Sequence, residues 1–131
     1  MKRRTIAILI AILICAGAAA FVFVPYTPMP DVNSFQNVSI WRIDGSDQTE
    51  ITDQFDQNAL REVLTQVKAS RVPNPKHSFS MDKVSYEIVA VYNNTPTFLD
   101  IGEINVVYRD WVHNLKNGSE ILDKLDAICN Y

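Results

Sequence analysis

The residues from Thr5 to Val24, TIAILIAILICAGAAAFVFV, form a run of 20 without a single charge, and nothing later in the chain constrains it as strongly. At 1.5 Å rise per residue such a helix is about 30 Å long, the thickness of a bilayer's hydrocarbon core. A helix also pairs its backbone polar groups within one segment, which is the condition lipid imposes. Lys2, Arg3 and Arg4 stand directly before the run, and the next basic residue is Arg42. The positive-inside bias therefore predicts a single-pass protein of the cell membrane, with its N-terminus cytoplasmic and its C-terminal part extracellular.

Three readings compete for this segment. Its full bilayer length favours an uncleaved signal anchor that holds the membrane through residues 5–24. A cleaved signal peptide would use an h-region from Ile6 to Cys15 and small residues near Ala18 or Ala20. A lipidated Cys15 would need a small residue before it, where the chain has Ile14, and a polar stretch after it, where the chain stays apolar. The chain thus divides into an anchor at residues 1–24, a proline-rich stalk at 25–36 and an exported domain at 37–131.

Without Lys2, Arg3 and Arg4 the chain has 9 basic and 15 acidic residues, a charge of −6 beyond the apolar run. That balance excludes nucleic acid, whose phosphates demand clustered Lys and Arg. It also leaves no polybasic patch for anionic lipid. Cys15 lies in the apolar run and Cys129 is alone after it, so no disulfide can form within the exported part. Cys129 falls on an expected helix and reads as a small buried hydrophobe.

The stalk, Pro25-Tyr26-Thr27-Pro28-Met29-Pro30, is too rich in proline for a helix or a sheet ladder and is expected to run extended close to the membrane. Val38 to Ile43 reads as a strand, Asp44-Gly45 as a turn, and Gln48 to Thr52 as a short return strand. Asp56 has the position of an N-cap, with Phe55 and Leu60 placed as a hydrophobic staple. Leu60, Val63, Leu64 and Val67 then follow at helical spacing, and this helix is expected to end near Ser70, ahead of Pro73 and Pro75. Extended patterns follow at Ser85 to Tyr92, Thr97 to Ile101 and Ile104 to Arg109, with a turn at Asn93-Asn94-Thr95-Pro96. In the third strand Ile104, Val106 and Tyr108 should share one face and Asn105, Val107 and Arg109 the other. Trp111 to Leu115 is a candidate edge. Ser119 is positioned to cap a last helix whose Leu122, Leu125 and Ile128 form a one-sided stripe. Short connections favour antiparallel pairing, and the helices must bury their stripes on the sheet. The expected fold is α+β, an N-terminal transmembrane helix followed by a two-layer domain with an antiparallel sheet and two helices in the order β-β-α-β-β-β-α.

The residues yield no catalytic, cofactor-binding or metal set. His77, in the basic loop Arg71 to His77, and His113 are the only histidines and lack partners at ligand spacing. Asp44 to Glu50 lacks the glycine at the sixth position and the glutamate at the twelfth that shape a calcium loop. Asp100 and Glu103 flank Gly102 as a candidate carboxylate pair, and this is the minimum for glycoside hydrolysis. Hairpin ends are commonly acidic for solubility alone. Asn37, Asn93 and Asn117 each begin a glycosylation sequon, relevant only in a eukaryotic source.

Trp41-Arg42-Ile43, Glu50-Ile51-Thr52, the helix around Leu60 to Val67, Ser85 to Ile88 and Leu99 to Tyr108 together resemble small uncharacterised domains of Gram-positive surface proteins. Ile101 to Tyr108 and Glu120-Ile121-Leu122 carry most of the likeness, which spans residues 38 to 128. The resemblance implies a cell-envelope domain behind an anchor or lipoprotein signal, and it supplies no functional residues. Two functional expectations follow. One is a non-enzymatic accessory or protein-interaction domain with an envelope protein partner. The other is a small-ligand or envelope-polymer binding module that uses Trp41, Trp111 and Tyr108. An enzyme acting through Asp100 and Glu103 is the weakest reading.

Overall fold

The computed structural model describes residues 3–29, 34–76 and 83–129. The apolar run is a helix, α1 (Arg3–Phe23), with no buried residue, and it is long and apolar enough to cross a membrane. A seven-stranded sheet follows, made of β1 (Gln36–Asp44), β2 (Asp47–Glu50), β3 (Ala69–Pro73), β4 (Ser85–Tyr92), β5 (Thr95–Ile101), β6 (Asn105–Tyr108) and β7 (Trp111–Leu115). The strand order is β2-β1-β4-β5-β6-β7-β3, and every pairing is antiparallel. Two helices, α2 (Gln57–Thr65) and α3 (Gly118–Cys129), complete the α+β fold that the patterns predicted.

Strand pairing assigns each residue to a face. Ile40, Ile88, Leu99 and Tyr108 lie across neighbouring strands, as do Tyr86, Ile101 and Val106. These residues pack with Leu60 and Leu64 of α2 and Ile121 and Leu125 of α3 into one core. Both helices therefore cover the same side of the sheet. Asp56 caps α2 as expected, its side chain accepting from the Asn58 N–H at 2.7 Å. A half-buried polar seam fastens α3: the Tyr86 hydroxyl donates to Asp126, whose carboxylate also lies 3.6 Å from the Arg42 guanidinium. Cys129 is buried beside this seam, and burial pushes its thiol up to about 11.

Several expectations need correction. Helix α2 stops at Thr65, not near Ser70, because the chain is taken over by tertiary partners. Asn117 accepts from the Lys68 N–H and donates to the Gln66 carbonyl, and Ala69 then begins an edge strand along β7. The element order gains that strand, and the segment from Trp111 to Leu115 is interior, not an edge. Thr95 and Pro96 belong to β5, leaving Asn93-Asn94 as a two-residue turn with both φ angles positive. Pro96 is tolerated because β6 pairs only with Leu99 to Ile101, so its missing N–H interrupts no ladder. Ile104 is exposed and Asn105 buried, because the Gly102 N–H bonds the Asn105 carbonyl and turns the chain there. Ser119 does not cap α3; its hydroxyl reaches Glu103 at 3.5 Å, while the Asn117 carbonyl accepts from the Ile121 N–H.

The proline-rich segment does not run free of the domain. Tyr26 exchanges two backbone hydrogen bonds with Ala69, at 2.9 and 2.8 Å, and so extends the β3 edge. Its hydroxyl lies 3.3 Å from Nε2 of His113, and His113 Nδ1 is 2.8 Å from the Ser70 carbonyl. A carbonyl only accepts, so Nδ1 carries the proton and Nε2 accepts from Tyr26. Met29 and Phe35 are core residues. Arg71 donates to the Val24 carbonyl at 3.2 Å and stacks over Phe21, which ties α1 to the same edge.

Candidate functional site

The second face of the sheet carries neither helix. Its central row runs Glu50, Trp41, Glu87, Asp100, Val107 and Val112 across six strands. The next row toward the β4–β5 turn holds Ser39, Val89 and Phe98. Beyond it lie Val91 and Pro96. Phe98 is 57% exposed, an unusual state for a phenylalanine inside a sheet, and Trp41, Val89, Val91 and Val107 are half-buried around it. Val112, Asn105 and Ser85 are buried on this face, so the open part is the half nearer the two turns.

That half holds a concavity of about 720 Å³. Its floor is Phe98, Pro96 and Val107, its polar centre is Glu87 with Asp100, and Arg109 and Asp110 form a rim. Arg109 and Asp110 both have positive φ, 51° and 64°, as a two-residue hairpin turn requires. Such a backbone costs about 1 kcal/mol or more for each residue that is not glycine. The Arg109 guanidinium lies 5.2 Å from the Tyr108 ring centroid.

Asp100 and Glu87 are direct cross-strand neighbours, a separation of about 5 Å between Cβ atoms. Burial first, and the Glu87 charge second, push the Asp100 carboxyl up to about 6. Its Oδ1 is buried without a hydrogen-bond partner among the described residues. A carboxyl raised above its unfolded value of 3.8 makes the folded state bind the proton more tightly. Stability is thus greatest below pH 4 on this group's account and falls as pH rises from about 4 to about 6. Asp100→Asn is expected to remove that slope and to raise stability at pH 7 by about 1 kcal/mol, a figure discounted for partial exposure. Urea melts at pH 4.5 and 7.5 check it; an unchanged pH dependence in the variant would exclude Asp100 as the source.

The residues singled out from sequence do not converge. Asp100 and Glu103 form no pair: Asp100 faces the open side, whereas Glu103 sits in the β5–β6 turn and is bonded to Lys83, which lowers its pKa. Trp41 lies on the open face, but Tyr108 pairs with Leu99 and Trp111 on the opposite side, so the three aromatic residues build no common surface. His113 is 7% exposed inside the sheet and not at its surface, because it closes the bond between Tyr26 and Ser70. His77 lies outside the described residues. The hairpin Asp44–Asp47 is a turn with Gly45 at φ 61°. Among the described residues no group of three His, Cys, Asp or Glu side chains is arranged to hold a metal ion.

The acidic pair was missed in the sequence because its members lie 13 positions apart and meet only by register. The one available signal was a single acidic residue in each of two strands that carry no other charge. No known protein family, curated protein or solved structure matches this chain.

Proposed function

We propose that this chain is a membrane-anchored, extracytoplasmic interaction module of the cell envelope, non-enzymatic, whose open sheet face receives a protein partner. The observation that carries the reading is the exposed Phe98 among half-buried Trp41, Val89, Val91 and Val107, on a face that neither α2 nor α3 covers. A contiguous apolar patch of this kind marks interaction surfaces in soluble domains. Helix α1 and the basic residues before it support an anchor with the N-terminus inside and the domain outside. The contacts of Arg71 with Val24 and Phe21 would then hold the domain at the outer surface in a fixed orientation.

A second reading, a small-ligand site, is favoured by the size of the concavity, which falls within the range of ligand pockets. Photo-crosslinking in intact cells separates the two. With the crosslinker replacing Phe98, one envelope protein is expected to be captured that is not captured from position Val72, an exposed position on the β3 edge. The full-length chain should stay in the membrane after alkaline carbonate washing. Equal capture from both positions, or release of the chain by the wash, would count against the module.

A further inference from the structure

The charge on the open face is one-sided. Among the outward-facing described residues of β2, β1, β4, β5 and β6, the charged ones are Glu50, Glu87 and Asp100, and none is Lys or Arg. Arg42, the basic residue of β1, points to the other face and engages Asp126. Arg109 belongs to the rim and stacks on Tyr108. The acidic centre is also flanked by aromatic rings: Trp41 is the cross-strand neighbour of Glu87, and Phe98 lies two residues from Asp100 on the same face.

Carboxylates facing each other across two strands repel unless a cation lies between them. A cation placed there gains from both charges and from the faces of the neighbouring rings. Resting on the interaction-module reading, we propose that this face docks an extended, cationic segment of a partner protein, with one Lys or Arg side chain seated between Glu87 and Asp100 against Trp41 and Phe98. A second copy of this chain fits poorly, because a two-fold contact would place the same carboxylates against one another. A bilayer surface fits no better, since anionic headgroups would meet an acidic face.

The geometry also sets the partner's spacing. Glu50 lies in the same row, between two and three strands from the seat, or about 12 Å at 4.8 Å per strand. An extended segment crossing the strands advances about 3.4 Å per residue, so a second cation four residues along reaches Glu50. The partner motif is therefore two basic residues separated by three others.

The test uses the full chain in nanodiscs of neutral lipid at low ionic strength. The probes are a fluorescent serine-rich decapeptide with Lys at its third and seventh positions and its counterpart with Glu at both. The lysine peptide is expected to bind and the glutamate peptide not. Glu87→Gln with Asp100→Asn should weaken binding by about tenfold or more, the loss typical of truncating a partly desolvated charge pair. The charge-matched control Glu62→Gln with Asp123→Asn, on exposed helix positions, should change it by less than about twofold. Thermal melting of the double variant, expected to be no lower than that of the parent chain because the Asp100 charge is buried beside Glu87, separates loss of binding from unfolding. Failure of the lysine peptide to bind, equal binding of the glutamate peptide, or an equal loss in the control would overturn the proposal, as would crosslinks between two copies at position 98. If position 98 captures an envelope protein and the neutralised pair still does so, the cationic seat is wrong while the module reading stands.

Discussion

A fragment that starts at residue 37 is expected not to fold, whereas one that starts at residue 25 is expected to fold and remain soluble. The sequence argues for the shorter fragment, since the prolines before it look like a stalk. The packing argues otherwise. Met29 is 1% exposed and Phe35 3%, and both lie in the main core. Removing buried side chains of these types costs about 2–5 and 3–5 kcal/mol respectively. Together that approaches the whole stability of a small domain, about 5–15 kcal/mol. Loss of Tyr26 would also leave the Ala69 N–H and carbonyl unpaired and His113 without its hydroxyl partner. Near-UV circular dichroism and thermal melting of the two fragments give the answer directly. A cooperative transition in the fragment from residue 37 would mean that residues 26–35 merely rest on the domain.

Gly118→Ala should be a severely damaging single methyl addition. Gly118 is buried at the first turn of α3, where an added Cβ would sit 1.8 Å from the Glu103 carbonyl oxygen and 2.5 Å from its carbon. Both are backbone atoms of the β5–β6 turn, so no side-chain rotation relieves the clash. Either α3 moves off the sheet or the turn breaks its bond from the Gly102 N–H to the Asn105 carbonyl. Overpacking of this severity costs about 3 kcal/mol or more. The measurable result is a fall in melting temperature of roughly 10 °C or more, on the scaling for a domain of this size. Gly45→Ala is the useful contrast: it has open space around it and only a positive φ of 61° to oppose the substitution, worth about 1 kcal/mol. A Gly118→Ala variant no less stable than Gly45→Ala would show that α3 does not approach the turn this closely.

How much of this was legible in the sequence depended on the range of the interaction involved. Helix α1 announced itself because 20 uncharged residues in succession need no tertiary context. The cap at Asp56 and the hairpin at Asp44-Gly45 are likewise local, decided by hydrogen bonds and φ angles within a few residues. The helical stripes of α2 and α3 and the extended runs of β1, β4 and β5, joined by short connections, were enough to predict the α+β class, since burial periodicity is set by the element itself.

What the local pattern could not carry was any partner far along the chain. Ala69 to Pro73 has no strand signature of its own; it is extended because β7 on one side and Tyr26 on the other supply its hydrogen bonds. The burial of His113 was not legible because its two partners, Tyr26 and Ser70, lie 87 and 43 positions away. Glu87 and Asp100 looked like unrelated acids until register set them side by side. The sequence by itself determined the apolar span, the charge balance and the class of fold, all properties of contiguous or periodic residues. The tertiary structure alone decided which face stays open, that the proline segment belongs to the core, and where the carboxylates meet. Those follow from which strands become neighbours, and burial summed over the whole chain makes that choice.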